Sequence, residues 1–170
     1  MKKLLIVVDY QNDFVNGALG FSGAERLENG IAAKIKEYEN DEIVYTLDTH
    51  YENYADTQEG RKLPIPHCIK GSEGHALYGK IQKLLEGRKC FEKSTFPSLE
   101  LGKYLEGKDY GIIELCGLVS SICVISNAVI AKAACPEAEI IVDSALTASA
   151  DSDLHQKALD VMKCLQITVR

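Results

Sequence analysis

Apolar positions along the chain follow two rhythms. Leu4 to Val8 is an unbroken apolar run ending at Asp9, the pattern of a strand buried on both faces. Glu42 to Leu47 reads as a second strand ending at Asp48, and Lys89 to Glu92 as a short third ending at Lys93. Between Gly111 and Gly117 the residues are β-branched and apolar, predicting a fourth. Glu139 to Val142, ending at Asp143, and Ile167 to Val169 predict two more. Helical spacing lies between them. Ala24 to Tyr38 places Leu27, Ile31, Ile35 and Tyr38 four and three apart. Helices are also predicted over His75 to Leu85, over Ser98 to Leu105 with Ser98 as cap, and over the Ala-rich stretch from Val124 to Ala134. The last runs from Ala150 to Cys164, with Leu154, Ala158, Val161 and Met162 facing inward. Thr49 to Glu73 is polar, carries Pro64, Pro66 and Gly71, and shows no clear period; it reads as a long loop of the kind that tends to be functional.

Strands alternating with helices imply an α/β fold, a doubly wound parallel sheet covered on both faces. With no internal repeat or linker, residues 1–170 read as one domain. In such folds ligands bind beyond the carboxyl ends of the strands. Asp9, Asp48, Lys93 and the turn leading to Cys123 all fall at such ends.

Composition narrows the partners. A net charge of -6 argues against nucleic acid and anionic membranes. No apolar run reaches the length of a membrane span. The first apolar run stops after five residues at Asp9 without a small-residue cleavage site, so it reads as a strand, not a signal peptide. The six cysteines form no CxxC pair and read as reduced thiols of a cytoplasmic protein.

Two groups of residues carry candidate chemistry. Cys123 follows a strand and falls in the first turn of a helix, with Ser120 and Ser121 at the N-cap. Helix-start N–H groups favour a thiolate and can hold an oxyanion. Lys93 can supply a positive charge and Asp9 can accept a proton. The alternatives are a cysteine that is merely a small buried residue and an Asp9–Lys93 ion pair at the rim. The second group is Asp48-Thr49-His50 with Glu59 and His67. Residues two apart on an extended segment point the same way, so Asp48 and His50 can face one ion. Two histidines with carboxylates suit zinc, iron or manganese, with Asp56 a rival for the Glu59 place.

Five segments, in order, are distinctive together: Val8-Asp9-Tyr10-Gln11-Asn12-Asp13-Phe14; Thr46-Leu47-Asp48-Thr49-His50; Pro66-His67-Cys68-Ile69-Lys70-Gly71-Ser72-Glu73-Gly74; Glu92-Lys93-Ser94-Thr95-Phe96-Pro97-Ser98; and Cys116-Gly117-Leu118-Val119-Ser120-Ser121-Ile122-Cys123-Val124. On these the chain resembles the isochorismatase-like cysteine hydrolases, and within them the nicotinamidases. The resemblance implies a three-layer α/β/α fold with a six-stranded parallel sheet and an Asp9–Lys93–Cys123 triad. It implies a cis peptide before Val119, with the Val119 and Cys123 N–H groups turned toward an oxyanion. It also implies one divalent metal, zinc first, held by Asp48, His50 and His67 with Glu59 as fourth ligand in some members. Phe14 would line the substrate pocket, and the chain would form a homo-oligomer. The implied reaction is hydrolysis of a small amide, with nicotinamide to nicotinate plus ammonia the best single candidate. Nicotinamidases often carry Trp-Pro before the His-Cys pair. This chain has no Trp and reads Leu63-Pro64-Ile65-Pro66-His67-Cys68, which leaves ring stacking to Phe14, Tyr51, Tyr54 or Phe96. The competing readings are another C–N amidase, acting on an N-carbamoyl or ureido compound, and a non-catalytic binding protein on the same scaffold.

Overall fold

A computed structural model describes all of residues 1–170. Six strands form one wholly parallel sheet: β1 (Lys3–Val8), β2 (Glu42–Asp48), β3 (Lys89–Lys93), β4 (Ile112–Leu118), β5 (Glu139–Ala148) and β6 (Thr168–Val169). Their spatial order is β3-β2-β1-β4-β5-β6. The order reverses between β1 and β4, so the crevice of this doubly wound sheet opens beyond the ends of those two strands.

Seven helices cover the sheet: α1 (Asn12–Val15), α2 (Leu27–Glu37), α3 (Gln58–Lys62), α4 (Ile81–Leu84), α5 (Leu99–Leu105), α6 (Ile125–Ala134) and α7 (Ser152–Cys164). Period-two alternation sorts the strand residues between two cores. Leu4, Ile6 and Val8 pack with Leu101, Ala128, Ala131 and Met162 of α5, α6 and α7. Leu5 and Val7 pack with Val15, Ile31, Ile35 and Ile81 of α1, α2 and α4. The architecture is therefore three-layer α/β/α. All five residues from Leu4 to Val8 are fully buried, and each such aliphatic side chain is worth about 1.5–3 kcal/mol.

Several elements depart from their sequence patterns. The helix expected from His75 shrinks to Ile81–Leu84, because Gly79 takes a φ of 53° and Leu77 is held in a bridge to Gln11. The Ala24 helix begins as a 3-10 turn (Ala24–Arg26) before α2. The long polar stretch contains a 3-10 turn (Tyr54–Asp56) and α3, whose cap is Thr57 accepting from the Gly60 N–H at 3.0 Å. Five residues are too few to show a helical period. Strand β5 does not stop at Asp143; its register against β4 shifts between Leu115 and Gly117, and it resumes pairing at Thr147. Leu154 and Val161 of α7 are exposed; Leu159 joins Ala158 and Met162, both buried as expected, in the buried stripe.

Candidate active site

Strand parity places the first group. On β2, Thr46 and Asp48 share a side of the sheet with Val44, and on β3 Lys93 shares it with Phe91; Val44 and Phe91 belong to the same core as Cys123. Asp9 follows β1 and takes a φ of 43°, in the left-handed region that few side chains adopt. Such a conformation is kept where the surroundings hold it. The Thr46 hydroxyl donates to Asp9 Oδ1 at 2.6 Å, and Lys93 Nζ lies 2.6 Å from Asp9 Oδ2. The same ammonium reaches Cys123 Sγ at 3.6 Å and Asp48 Oδ1 at 3.6 Å. All five side chains are buried. Glycine at 117 lets β4 run close against the end of β1: its φ is 114°, and a Cβ there would lie 2.0 Å from the Val8 carbonyl oxygen.

Cys123 does not sit on an ordinary helix start. Ser120–Val124 is a π-helical turn entered through Val119, and the Leu118–Val119 peptide is cis. The Val119 carbonyl accepts the Ile122 and Val124 N–H groups, both at 3.1 Å, and the Val119 N–H has no protein acceptor. Ser120 and Ser121 are not caps; their hydroxyls bond to Ser149 at 3.1 and 2.6 Å. Burial works against the thiolate that a helix start would favour. Burial, then the Asp9 charge, pushes the thiol well above its ordinary pKa, and Lys93 offsets this only in part. Burial likewise raises Asp9, against the lowering pull of Lys93. Lys93 is raised: its burial penalty is outweighed by Asp9, Cys123 and Asp48. Burial thus pushes both the thiol and the carboxyl toward holding their protons.

The second group lies against the first. Asp48 Oδ2 is 3.1 Å from His50 Nε2 and 3.3 Å from His67 Nε2. The ligand atoms of Asp48, His50 and His67 lie within 4.8 Å of one another. Glu59 Oε1, carried by α3, is 3.7 Å from both imidazole Nε2 atoms. Asp56, its rival, is exposed on the preceding turn. His67 Nδ1 lies 2.8 Å from the Ile65 carbonyl, which can only accept. That bond puts a proton on Nδ1, so a cation displacing the Nε2 proton would meet a lone pair facing the cluster, as a metal ligand requires. Burial pushes His67 down, but hydrogen bonds to Asp48 and the Ile65 carbonyl outweigh it and hold the ring above its ordinary value. The donor set thus fits a borderline divalent cation.

Residues outside the sequence expectations brace both groups. The Gln11 amide donates to the Asp48 and His75 carbonyls, each at 2.9 Å, and accepts the Asp48 N–H at 2.8 Å. Asp13 Oδ2 accepts the Cys68 N–H at 2.7 Å, beside His67. Asn127 accepts the Ser98 N–H at 3.0 Å and donates to the Phe96 and Cys123 carbonyls at 3.1 and 2.8 Å. A lone Asn on the apolar α6 was the available signal for it. Phe14 is buried with its ring 5.6 Å from that of His67. A cavity of about 510 Å³ opens beside His50 and Glu59, lined by Tyr51, Tyr54, Phe96 and Ile122 among others; Phe14 is not part of its wall.

The isochorismatase domain family matches residues 3–170. The chain belongs to that family. As an isochorismatase domain it is 36% identical over 143 residues to an uncharacterized isochorismatase family protein PncA of Bacillus subtilis (76% of this chain, 78% of the relative). Its fold is similar to that of a nicotinamidase/pyrazinamidase PncA from Bacillus subtilis, with a TM-score of 0.88, 31% identity and 99% of each chain covered. A pyrazinamidase of Pyrococcus horikoshii, solved in complex with zinc, matches with a TM-score of 0.86 and 25% identity, over 100% of this chain and 99% of that one.

Proposed function

We propose that the protein is a cysteine amidase of nicotinamidase type, hydrolysing a small amide to the acid and ammonia. One observation carries this reading: a single buried ammonium, Lys93, touches a carboxylate, a thiol and the carboxylate of a His-rich cluster. A proton acceptor, a nucleophile and a fixed charge therefore meet at the mouth of the sheet.

Cys123 loses its proton to Asp9 as its sulfur attacks the amide carbonyl. An Asp9 whose proton affinity is raised by burial suits that task better than an ordinary surface carboxylate. The Val119 and Cys123 N–H groups receive the carbonyl oxygen as it gains charge. When the C–N bond breaks, Asp9 returns the proton to the leaving ammonia. Asp9 then draws a proton from the water that attacks the thioester and passes it to Sγ as the C–S bond breaks, releasing the acid. Lys93 keeps its charge throughout and holds Asp9 and the sulfur in place. Asp48, His50, His67 and Glu59 would hold one divalent cation, zinc first by donor chemistry. Such an ion acts as a Lewis acid toward a substrate oxygen, ring nitrogen or water.

Cys123→Ala is expected to abolish ammonia release from nicotinamide, by about three orders of magnitude or more, with an unchanged circular dichroism spectrum. Turnover that survives the change sinks the assignment. A second amide class has one observation in its favour. The chain has no Trp to stack a ring, and the cavity beside His50 and Glu59, whose wall does not include Cys123, carries Asn53, Thr57, Gln58, Lys62 and Thr95. N-carbamoyl and ureido compounds therefore belong in the same ammonia assay. Release from these and not from nicotinamide assigns the second class; retention of a small molecule without any release assigns a binding protein.

A further inference from the structure

The turn that presents Cys123 is tied to the segment after β5 and to α7 by side chains that the proposed chemistry does not use. His155 Nδ1 lies 2.9 Å from Ser120 Oγ, Ser120 donates to Ser149 Oγ at 3.1 Å, and Ser121 and Ser149 hydroxyls lie 2.6 Å apart. A hydroxyl has one proton. With Ser120 donating to Ser149, the His155 ring N–H is the donor to Ser120. Ser120 is fully buried, so this histidine–serine pair is closed to substrate and is not a second nucleophile.

His155 is fixed from behind. It sits on α7, whose first turn is capped by Asp151 Oδ1 accepting the Asp153 and Leu154 N–H groups at 2.8 and 3.0 Å. The helix is anchored by buried Ala158, Leu159 and Met162. The turn over Ser120–Val124, by contrast, has no side-chain cap of its own. Its entrance residue, Val119, keeps a free N–H. That N–H belongs to the Leu118–Val119 peptide, one residue before the Ser120 that His155 holds.

We propose that His155, acting through Ser120 with Ser149, is a positioning residue that aims the Val119 and Cys123 N–H groups at the substrate oxygen. The role rests on the amidase reading for its purpose, but its geometry is tested without amide turnover. Two reactions of Cys123 separate its parts. Iodoacetamide alkylates the sulfur with loss of iodide and builds no charge on a carbonyl oxygen. Pyridine-3-carbaldehyde adds reversibly: the sulfur–carbon bond forms, the carbonyl π pair moves to oxygen, and the thiol proton passes to Asp9. Only the second needs aimed N–H donors.

His155→Ala is expected to weaken aldehyde binding about five- to ten-fold while the alkylation rate of Cys123, followed by peptide mass spectrometry, stays within about two-fold. His155→Asn places an amide N–H near the Nδ1 position and restores aldehyde affinity. His155→Gln places its amide nearer Nε2 and does not. The Asn–Gln pair carries the test if the Ala variant does not fold. Aldehyde affinity that is unchanged in His155→Ala, that falls in step with alkylation, or that Gln restores as well as Asn overturns the proposal. A parent that releases no ammonia from any amide overturns the amidase reading instead, since the two Cys123 reactions still report the turn.

Discussion

Lys93 shows how much one buried charge organises. Its ammonium is nearly inaccessible and lies against two carboxylates and a thiol. Removing one member of a buried ionic group leaves the others uncompensated. Lys93→Met is therefore expected to cost roughly 3–5 kcal/mol in urea unfolding as well as all turnover. Glu42 makes the complementary case at the other end of the sheet. Burial alone would raise its pKa, but the Tyr104 and Tyr110 hydroxyls and the Lys2 ammonium outweigh it and hold the carboxyl at about 2, against an ordinary 4.5. A carboxyl lowered on folding contributes stability above its unfolded pKa and loses it as pH falls toward the folded one. Glu42→Gln is thus expected to lower the melting temperature at pH 7, with the gap to the parent closing between about pH 4.5 and 2. Among individual residues, Asp9, Lys93 and Cys123 were legible because each closes a strand or opens a helix pattern. Thr46, Gln11 and Asn127 were not. Their worth lies in partners 31 to 37 positions away, or in a carbonyl that any residue carries.

Elements were legible where a pattern ran long enough to repeat. Strand β1 and helix α2 were readable from spacing; α3 was too short to be, and the π turn under Cys123 has no sequence period that separates it from α-helix. Side-chain oxygens at element ends made the same point in both directions. Ser98 caps α5 as its position suggests, accepting the Leu101 N–H at 3.1 Å. Ser120 and Ser121 look like caps and are not, because Ser149 and His155 compete for their hydroxyls and win. Asp151→Ala removes the true cap of α7 and is expected to lower stability by about 1 kcal/mol in denaturant unfolding. Met162→Ala on the same helix is expected to cost more, roughly 2–5 kcal/mol, because it empties space in a closed core.

Across the whole molecule, the sheet order brings four strand ends to one opening, and the long segment between β2 and β3 closes over it. That segment is pinned by Glu59 and His67 around Asp48, by Asp13 to the Cys68 N–H, and by Gln11 to His75. A cation shared by Asp48, His50, His67 and Glu59 would bind the folded chain only, and so stabilise it by mass action. Zinc at about a thousand times its dissociation constant is expected to add about 4 kcal/mol, read as a melting-temperature rise that EDTA reverses. Asp48→Ala and His67→Ala should bind no metal and show no rise. An unchanged metal content in both variants would reject the ligand set.

What the amino-acid order settled was the alternation of strands and helices, hence a parallel sheet with two covered faces, and the polar residues placed at strand ends. Those follow from local periodicity, which each segment carries within itself. Which strands became neighbours, how the β2–β3 segment folded over the site, and whether Cys123 rests as thiol or thiolate were decided only by the assembled fold. Burial and the electrostatic field of Asp9 and Lys93 act through space, and no spacing along the chain records them.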